Sequence, residues 1–249
     1  MTYCVGLRLK RGLMFMSDTR TNAGVDNVSS FKKMYTWERR GDRLITLLSA
    51  GNLATTQTVV SMLEERHKTA GEREPDIYEV PSMFQAAKLV GDTVRSVIRE
   101  IAVGGGFKSE SSFGATFILG GQIAGGESRM YLIYPEGNFI EATDDNPFFQ
   151  IGEHKYGKPI LVRAYDPDMS FEEAAKLLIV SFDSTLKSNL SVGLPLDIQT
   201  YDTGSLHRGA QKRLMASDPY YQAISDGWSE ALREAFQRLP NYQGLSSTD

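Results

Sequence analysis

Thr2-Tyr3-Cys4-Val5-Gly6-Leu7-Arg8-Leu9-Lys10-Arg11-Gly12-Leu13-Met14-Phe15-Met16-Ser17-Asp18 opens the chain after Met1. Residues Thr2 to Leu9 and Leu13 to Asp18 are two short β-type runs, and Leu7 and Leu9 alternate against Arg8 and Lys10. The Lys10-Arg11-Gly12 interruption is too short for a crossover and predicts a hairpin. A second pair, Val28 to Glu38 and Arg43 to Ala50, is separated by Arg39-Arg40-Gly41-Asp42 and reads the same way. Hairpins demand antiparallel pairing, which excludes the doubly wound nucleotide folds.

Working outward, Asn52 caps a helix predicted to run to about Lys68, and Ser82 caps a second. Met83, Ala86, Val90, Val94, Val97 and Ile101 step by three and four along the second, which Gly104-Gly105-Gly106 ends; Gly71 to Pro81 connects the two. Runs near Ser112 to Gly120, Arg129 to Tyr134 and Asn138 to Thr143 form a meander with glycine-rich turns. A short helix is expected around Lys155 to Arg163, and Ser170-Phe171-Glu172-Glu173 is a capping box for a helix through about Leu190. Leu196 to Tyr201 and Ser205 to Arg208 flank Asp202-Thr203-Gly204 as a last hairpin. Asp218-Pro219 then starts a helix to about Leu239, with Ile224, Trp228, Ala231 and Ala235 on one stripe. Two antiparallel sheets packed face to face, their outer faces covered by the helix pairs, give an α+β four-layer αββα sandwich.

The 249 residues are 41% hydrophobic and 23% charged, enough apolar material for a substantial core, and no Pro/Ser-rich or single-sign stretch divides them. One domain over 1–249 is expected, with Gly244 to Asp249 a frayed tail. Lys plus Arg total 27 against 31 acids, a net charge of −4, the wrong sign for a general nucleic-acid binder. The single cysteine, Cys4, makes no intrachain disulfide, and neither a membrane-length apolar run nor a secretion leader is present, so a reducing cytoplasm is expected and no membrane partner.

Several motifs fail on inspection. Phe107 stands where a phosphate loop needs glycine before Lys108-Ser109, and His67, His154 and His207 lack zinc-site spacing. No GxSxG occurs, Asp144-Asp145 reads as a solvated turn, and Tyr220, Tyr221 and Trp228 read as packing residues. No metal or organic cofactor is expected.

One arrangement survives. If Met1 is removed, Thr2 carries both a hydroxyl and a free α-amine, whose reference pKa of about 7.7–8.0 suits it to accept the hydroxyl's proton. Such an amine needs a nearby fixed cation, and that cation needs a carboxylate. Asp18 ends the second strand of the opening hairpin and Lys33 lies on the following strand, so neighbouring strands bring both to the first strand's end.

The sequence resembles the proteasome β-subunit branch of the N-terminal nucleophile hydrolases, and within it the bacterial Anbu proteins. The resemblance spans nearly the whole chain. It is carried by Thr2, by Ser17-Asp18-Thr19-Arg20-Thr21-Asn22-Ala23-Gly24, by Phe31-Lys32-Lys33-Met34 and by Ser49-Ala50-Gly51-Asn52. Gly120-Gly121, Tyr131-Leu132-Ile133-Tyr134-Pro135-Glu136-Gly137 and Phe148-Phe149-Gln150-Ile151-Gly152-Glu153 extend it. The resemblance implies the αββα sandwich and assembly of identical subunits into a ring-like or open helical particle. It also implies a threonine peptidase or amidohydrolase: Thr2 the nucleophile, Lys33 lowering the pKa of its amine, Asp18 orienting Lys33, Gly51 N–H stabilising the oxyanion, and Ser188 and Ser191 supporting the amine. Lys33 falls one residue earlier than the family's lysine, so Lys32 competes for its place. Ser188 stands where the family usually has an acid, and Glu153 where it has serine. A non-catalytic scaffold and a small-molecule amidase are the alternatives; the sequence names neither a cleavage preference nor an energy-dependent partner.

Overall fold

The computed structural model describes residues 2–22, 28–68, 76–105 and 113–243. In chain order the elements are β1 Tyr3–Arg8, β2 Gly12–Asp18, β3 Arg20–Asn22, β4 Val28–Ser30, β5 Met34–Arg39, β6 Arg43–Gly51, α1 Leu53–Lys68 and α2 Met83–Gly105. They continue with β7 Ala115–Ile123, β8 Arg129–Ile133, β9 Phe139–Glu141, β10 Phe148–Gly152, α3 Lys158–Ala164, α4 Phe171–Ser188, β11 Leu196–Asp202, β12 Gln211–Leu214 and α5 Pro219–Gln237. One antiparallel sheet has the order β10-β1-β2-β11-β12, a second β5-β6-β7-β8-β9, and β3 and β4 form a small ribbon.

Strand alternation sorts the side chains into layers. From β1 and β2, Tyr3, Val5, Leu7, Met14 and Met16 join Leu161, Phe171, Leu178 and Phe182 of α3 and α4 in one core. Their alternates Cys4, Leu13 and Phe15 meet Leu44, Leu48 and Ile118 of the other sheet. On that sheet Ile45, Leu47, Phe117 and Leu119 turn outward onto Val59, Leu63, Val90 and Val94 of α1 and α2. The three cores stack as α-β-β-α, the architecture expected from the hairpins. The sheets are also joined by polar groups: Gln199 donates to Thr46 Oγ1 at 2.6 Å and accepts from Thr36 at 2.8 Å, and Tyr201 donates to Gln122 at 2.6 Å.

The helix starts follow their sequence signals. Ser170 Oγ accepts from Glu173 N, the Glu173 carboxylate accepts from Ser170 N, and Asp218 caps α5 through Tyr220 N and Tyr221 N. Asn52 and Ser82 accept from Thr55 N and Gln85 N.

Three expectations need correction, and one strand is additional to them. The run expected as one strand from Val28 to Glu38 is two: β4 pairs with β3 and β5 with β6, because Phe31 N donates to Thr19 O and the chain changes partners there. The last hairpin returns along Gln211–Leu214, not Ser205 to Arg208; Leu206 adopts a positive φ of 48° inside the turn. Phe148–Gly152, read without structure, is an edge strand on β1. Finally, Ala231 and Ala235 of α5 are exposed, and Tyr221 is the buried residue of that helix. Gly106, the Lys108-Ser109 segment, residues 71–75 of the Gly71 to Pro81 connection and the tail from Gly244 lie outside the described residues.

Candidate active site

Asp18 ends β2 beside β1, with a fully buried side chain. Its Oδ1 accepts from Lys33 Nζ at 2.8 Å and from Tyr3 N at 3.0 Å, and Gly193 N approaches Oδ2 at 3.4 Å. One carboxylate oxygen thus ties the start of the first strand to the lysine. Lys33 is 4% exposed and also donates to Arg20 O. Burial pushes the Asp18 carboxyl up from its ordinary value, while the Lys33 charge and the hydrogen bonds from Lys33, Tyr3 and Gly193 pull it down.

The structure separates the two lysines. Lys33 is buried against Asp18, whereas Lys32 is exposed, its ammonium 5.2 Å from the centroid of the Tyr35 ring. Both line a cleft of about 250 Å³ with Thr2, Thr21, Ser49, Ala50, Gly51, Asn52, Leu53 and Thr56. Thr2, Asp18, Lys33 and Gly51 therefore converge on one end of the inter-sheet space. Ser188 and Ser191 do not line this cleft: Ser188 is the exposed last residue of α4 and donates to Ser184 O, and Ser191 N donates to Asn189 Oδ1.

Gly51 is the last residue of β6, with φ +115°, a conformation that side chains rarely adopt. A Cβ there would stand 2.4 Å from Gly114 O. Ser49 N donates to Lys33 O at 2.9 Å, and strand alternation turns the Gly51 amide toward the same edge, past the end of β5. Gly51→Ala is expected to cost about 2 kcal/mol of stability through backbone strain, read as a lower urea midpoint.

The sequence reading missed the main-chain and side-chain supports. Glu153 N donates to Thr2 O at 2.6 Å, and Asn189 Nδ2 donates to Glu153 Oε2 at 2.9 Å, linking the end of α4 to Thr2. Thr19 Oγ1 donates to Pro195 O at 2.9 Å and Arg20 to Leu190 O at 3.0 Å, so the loop after α4 is fastened around Asp18. No spacing rule announces these bonds, since three of the four use backbone atoms. Among the described residues no group of three or more His, Cys, Asp or Glu is placed to hold a metal ion, and no helix is long and apolar enough to cross a membrane.

A model of the proteasome subunit family matches residues 2–198. Anbu from Hyphomicrobium sp. strain MC1 is 50% identical, with a TM-score of 0.89 over 97% of this chain and 100% of that one. Anbu, an ancestral β-subunit, from Yersinia bercovieri is 46% identical, with a TM-score of 0.88 over 97% and 100%. The helical assembly of the Anbu complex from Pseudomonas aeruginosa supplies a chain 43% identical, with a TM-score of 0.91 over 99% and 100%. A comparison with curated proteins gives no match. The chain belongs to the proteasome subunit family and, within it, to the Anbu proteins.

Proposed function

We propose that this chain is a self-assembling N-terminal threonine hydrolase of the cytoplasm that cleaves peptide or other amide bonds once Met1 has been removed. The observation that carries the reading is the buried Asp18–Lys33 pair, whose shared carboxylate oxygen also holds Tyr3 N–H and so fixes the residue next to Thr2 against a cation. In the proposed reaction Thr2 Oγ attacks the amide carbonyl carbon and its proton passes to the α-amine, directly or through water. Lys33 disfavours a second positive charge beside it and keeps that amine partly neutral at working pH. Gly51 N–H takes the oxyanion, a contact of a type worth about 3 kcal/mol when one donor is removed in other enzymes. Collapse breaks the C–N bond, the amine departs with the proton, and water hydrolyses the ester left on Thr2. Neither step requires a metal or an organic cofactor.

The test is direct. Intact mass of the purified chain should lack one methionine residue, and a hydroxyl-directed electrophile should add once, at Thr2. A chain that retains Met1 has an amide where the base should be and overturns the enzyme reading. The second reading, a non-catalytic assembly scaffold, draws on Ser188, which is exposed at the end of α4, bonded to Ser184 O and not among the residues that line the cleft. Substrate profiling separates a peptidase from a small-molecule amidase.

Self-assembly is supported by α5. Its first half is fastened to α4, where Asp183 accepts from Ser225 and Tyr221 and Lys187 donates to Ser229. Beyond it Leu232, Phe236 and Leu239 are exposed at helical spacing, with Tyr242 following. A ring-like or open helical particle gives these side chains a second copy to pack on. Phe236→Asp is expected to leave the subunit's stability within about 0.5 kcal/mol and to lower the assembled mass in light scattering.

A further inference from the structure

The proposed mechanism gives Lys33 a role and leaves Lys32 none. Lys32 lines the cleft beside Thr2 and is exposed. Its backbone oxygen accepts from Tyr35 OH at 2.8 Å, and its ammonium sits over the same ring, which limits where the side chain can go. Lys32 has no carboxylate partner among the described residues. Lys33, by contrast, has Asp18 as its ion-pair partner.

The rest of the wall adds to the same sign. Among the described residues Thr21, Ser49, Ala50, Asn52, Leu53 and Thr56 add no acid to it. Asn52 and Leu53 are the start of the 16-residue helix α1, whose dipole places partial positive charge at that end. Burial and then the charge of Glu64 of α1 push the Tyr35 hydroxyl up, and among the described residues Glu64 forms no ion pair with Lys32. At about 250 Å³ the cleft lies below the roughly 300–1,000 Å³ of pockets for drug-sized ligands, a size suited to one side chain.

We infer that Lys32 is a specificity-determining residue that selects an anionic group, the carboxylate of an acidic side chain on the substrate, beside the amide presented to Thr2. This inference rests on the reading of the cleft as the substrate site. An uncompensated cation in a small polar pocket gains Coulomb energy from a carboxylate and none from its amide isostere, whereas a second cation is repelled.

The experiment compares two peptide vinyl sulfones identical except for glutamate or glutamine at the residue next to the electrophile, with addition at Thr2 followed by intact mass. The glutamate probe should react about fivefold faster, the scale of one partly exposed ion pair. In Lys32→Met the ratio should fall to about one, and in Lys32→Glu it should invert. Equal rates of addition at Thr2 would overturn the anion preference and leave the nucleophile reading standing. The same peptides ending in a plain amide are titrated calorimetrically into Thr2→Ala. Tighter binding of the glutamate peptide that disappears in Thr2→Ala/Lys32→Met supports the selection even if Thr2 reacts with neither probe. Equal binding together with no addition overturns both readings.

Discussion

Replacing Thr2 by alanine is expected to reduce hydrolysis and electrophile addition to background while the chain keeps its fold and its assembled mass. The bonds that place residue 2 are main-chain bonds: Thr2 O accepts from Glu153 N, and the neighbouring Tyr3 N donates to Asp18. The substitution removes a hydroxyl and a methyl from a half-buried position and leaves both bonds in place. Its cost in folding is therefore under about 1 kcal/mol, the usual range for sites outside the core. Its cost in chemistry is of another order, because the nucleophile is deleted; removing the serine of a serine protease costs about a millionfold in kcat. Alanine is as small as threonine, so removal of Met1 proceeds in the variant, and intact mass verifies that like is compared with like. Thr2→Ser keeps a hydroxyl and an amine and should retain measurable turnover. Undiminished hydrolysis by Thr2→Ala would falsify the assignment of the nucleophile and move the chemistry elsewhere in the chain.

What could be read from the residues beforehand was what local periodicity encodes. The opening hairpin was legible because its alternation and its turn agree, and α4 because Ser170 and Glu173 announce its start. The αββα order followed from counting hairpins and helix pairs. Phe148–Gly152 was not legible as a strand: in five residues, with Phe149 and Ile151 facing one core and Phe148 the other, Gln150 is the only polar side chain, too brief an alternation to mark a strand. The break at Phe31–Lys33 was hidden because β propensity runs on while the hydrogen-bonding partner changes from β3 to β6, a tertiary event. Gln211–Leu214 is an edge strand exposed except at Leu214, so no apolar signal marked it, and the louder Thr203-Gly204 turn drew the return strand too early. In the site, spacing placed Asp18 and a lysine near the chain start but left Lys32 and Lys33 open, since pleat alone assigns opposite faces without saying which face is inward. Burial decides: Lys33 is 4% exposed on Asp18, and Lys32 is left at the cleft mouth. The same burial makes that pair costly to break.

Lys33→Ala should destabilise the fold by about 3–5 kcal/mol near neutral pH, the cost of leaving one buried charge without its partner. It should also abolish addition at Thr2, by removing the cation beside the amine. Alanine strands two acceptors, the Arg20 carbonyl and the Asp18 carboxylate, and only the second can titrate. Burial already raises the Asp18 carboxyl, and Lys33 is the largest influence opposing it, so without Lys33 the folded-state pKa rises further while the unfolded value stays near the ordinary 3.8. The folded variant then binds more protons than the unfolded chain above that value, which makes the slope of stability with pH negative. The variant's deficit is accordingly small near pH 4, where the folded variant holds Asp18 protonated and the unfolded chain's carboxyl is about half protonated, and grows as pH rises from the ordinary carboxylate value through the raised folded one. Urea unfolding at pH 4, 6 and 8 reads this directly. Asp18→Asn/Lys33→Met removes both charges and should be milder than Lys33→Ala at pH 8, with the gap closing toward pH 4. Lys32→Ala, one residue away but exposed, should shift stability by no more than about 0.5 kcal/mol at any of these pH values. A deficit for Lys33→Ala that did not change between pH 4 and pH 8 would mean that lost packing outweighs the stranded charge, and Lys33 could not then be the cation that tunes the amine of Thr2.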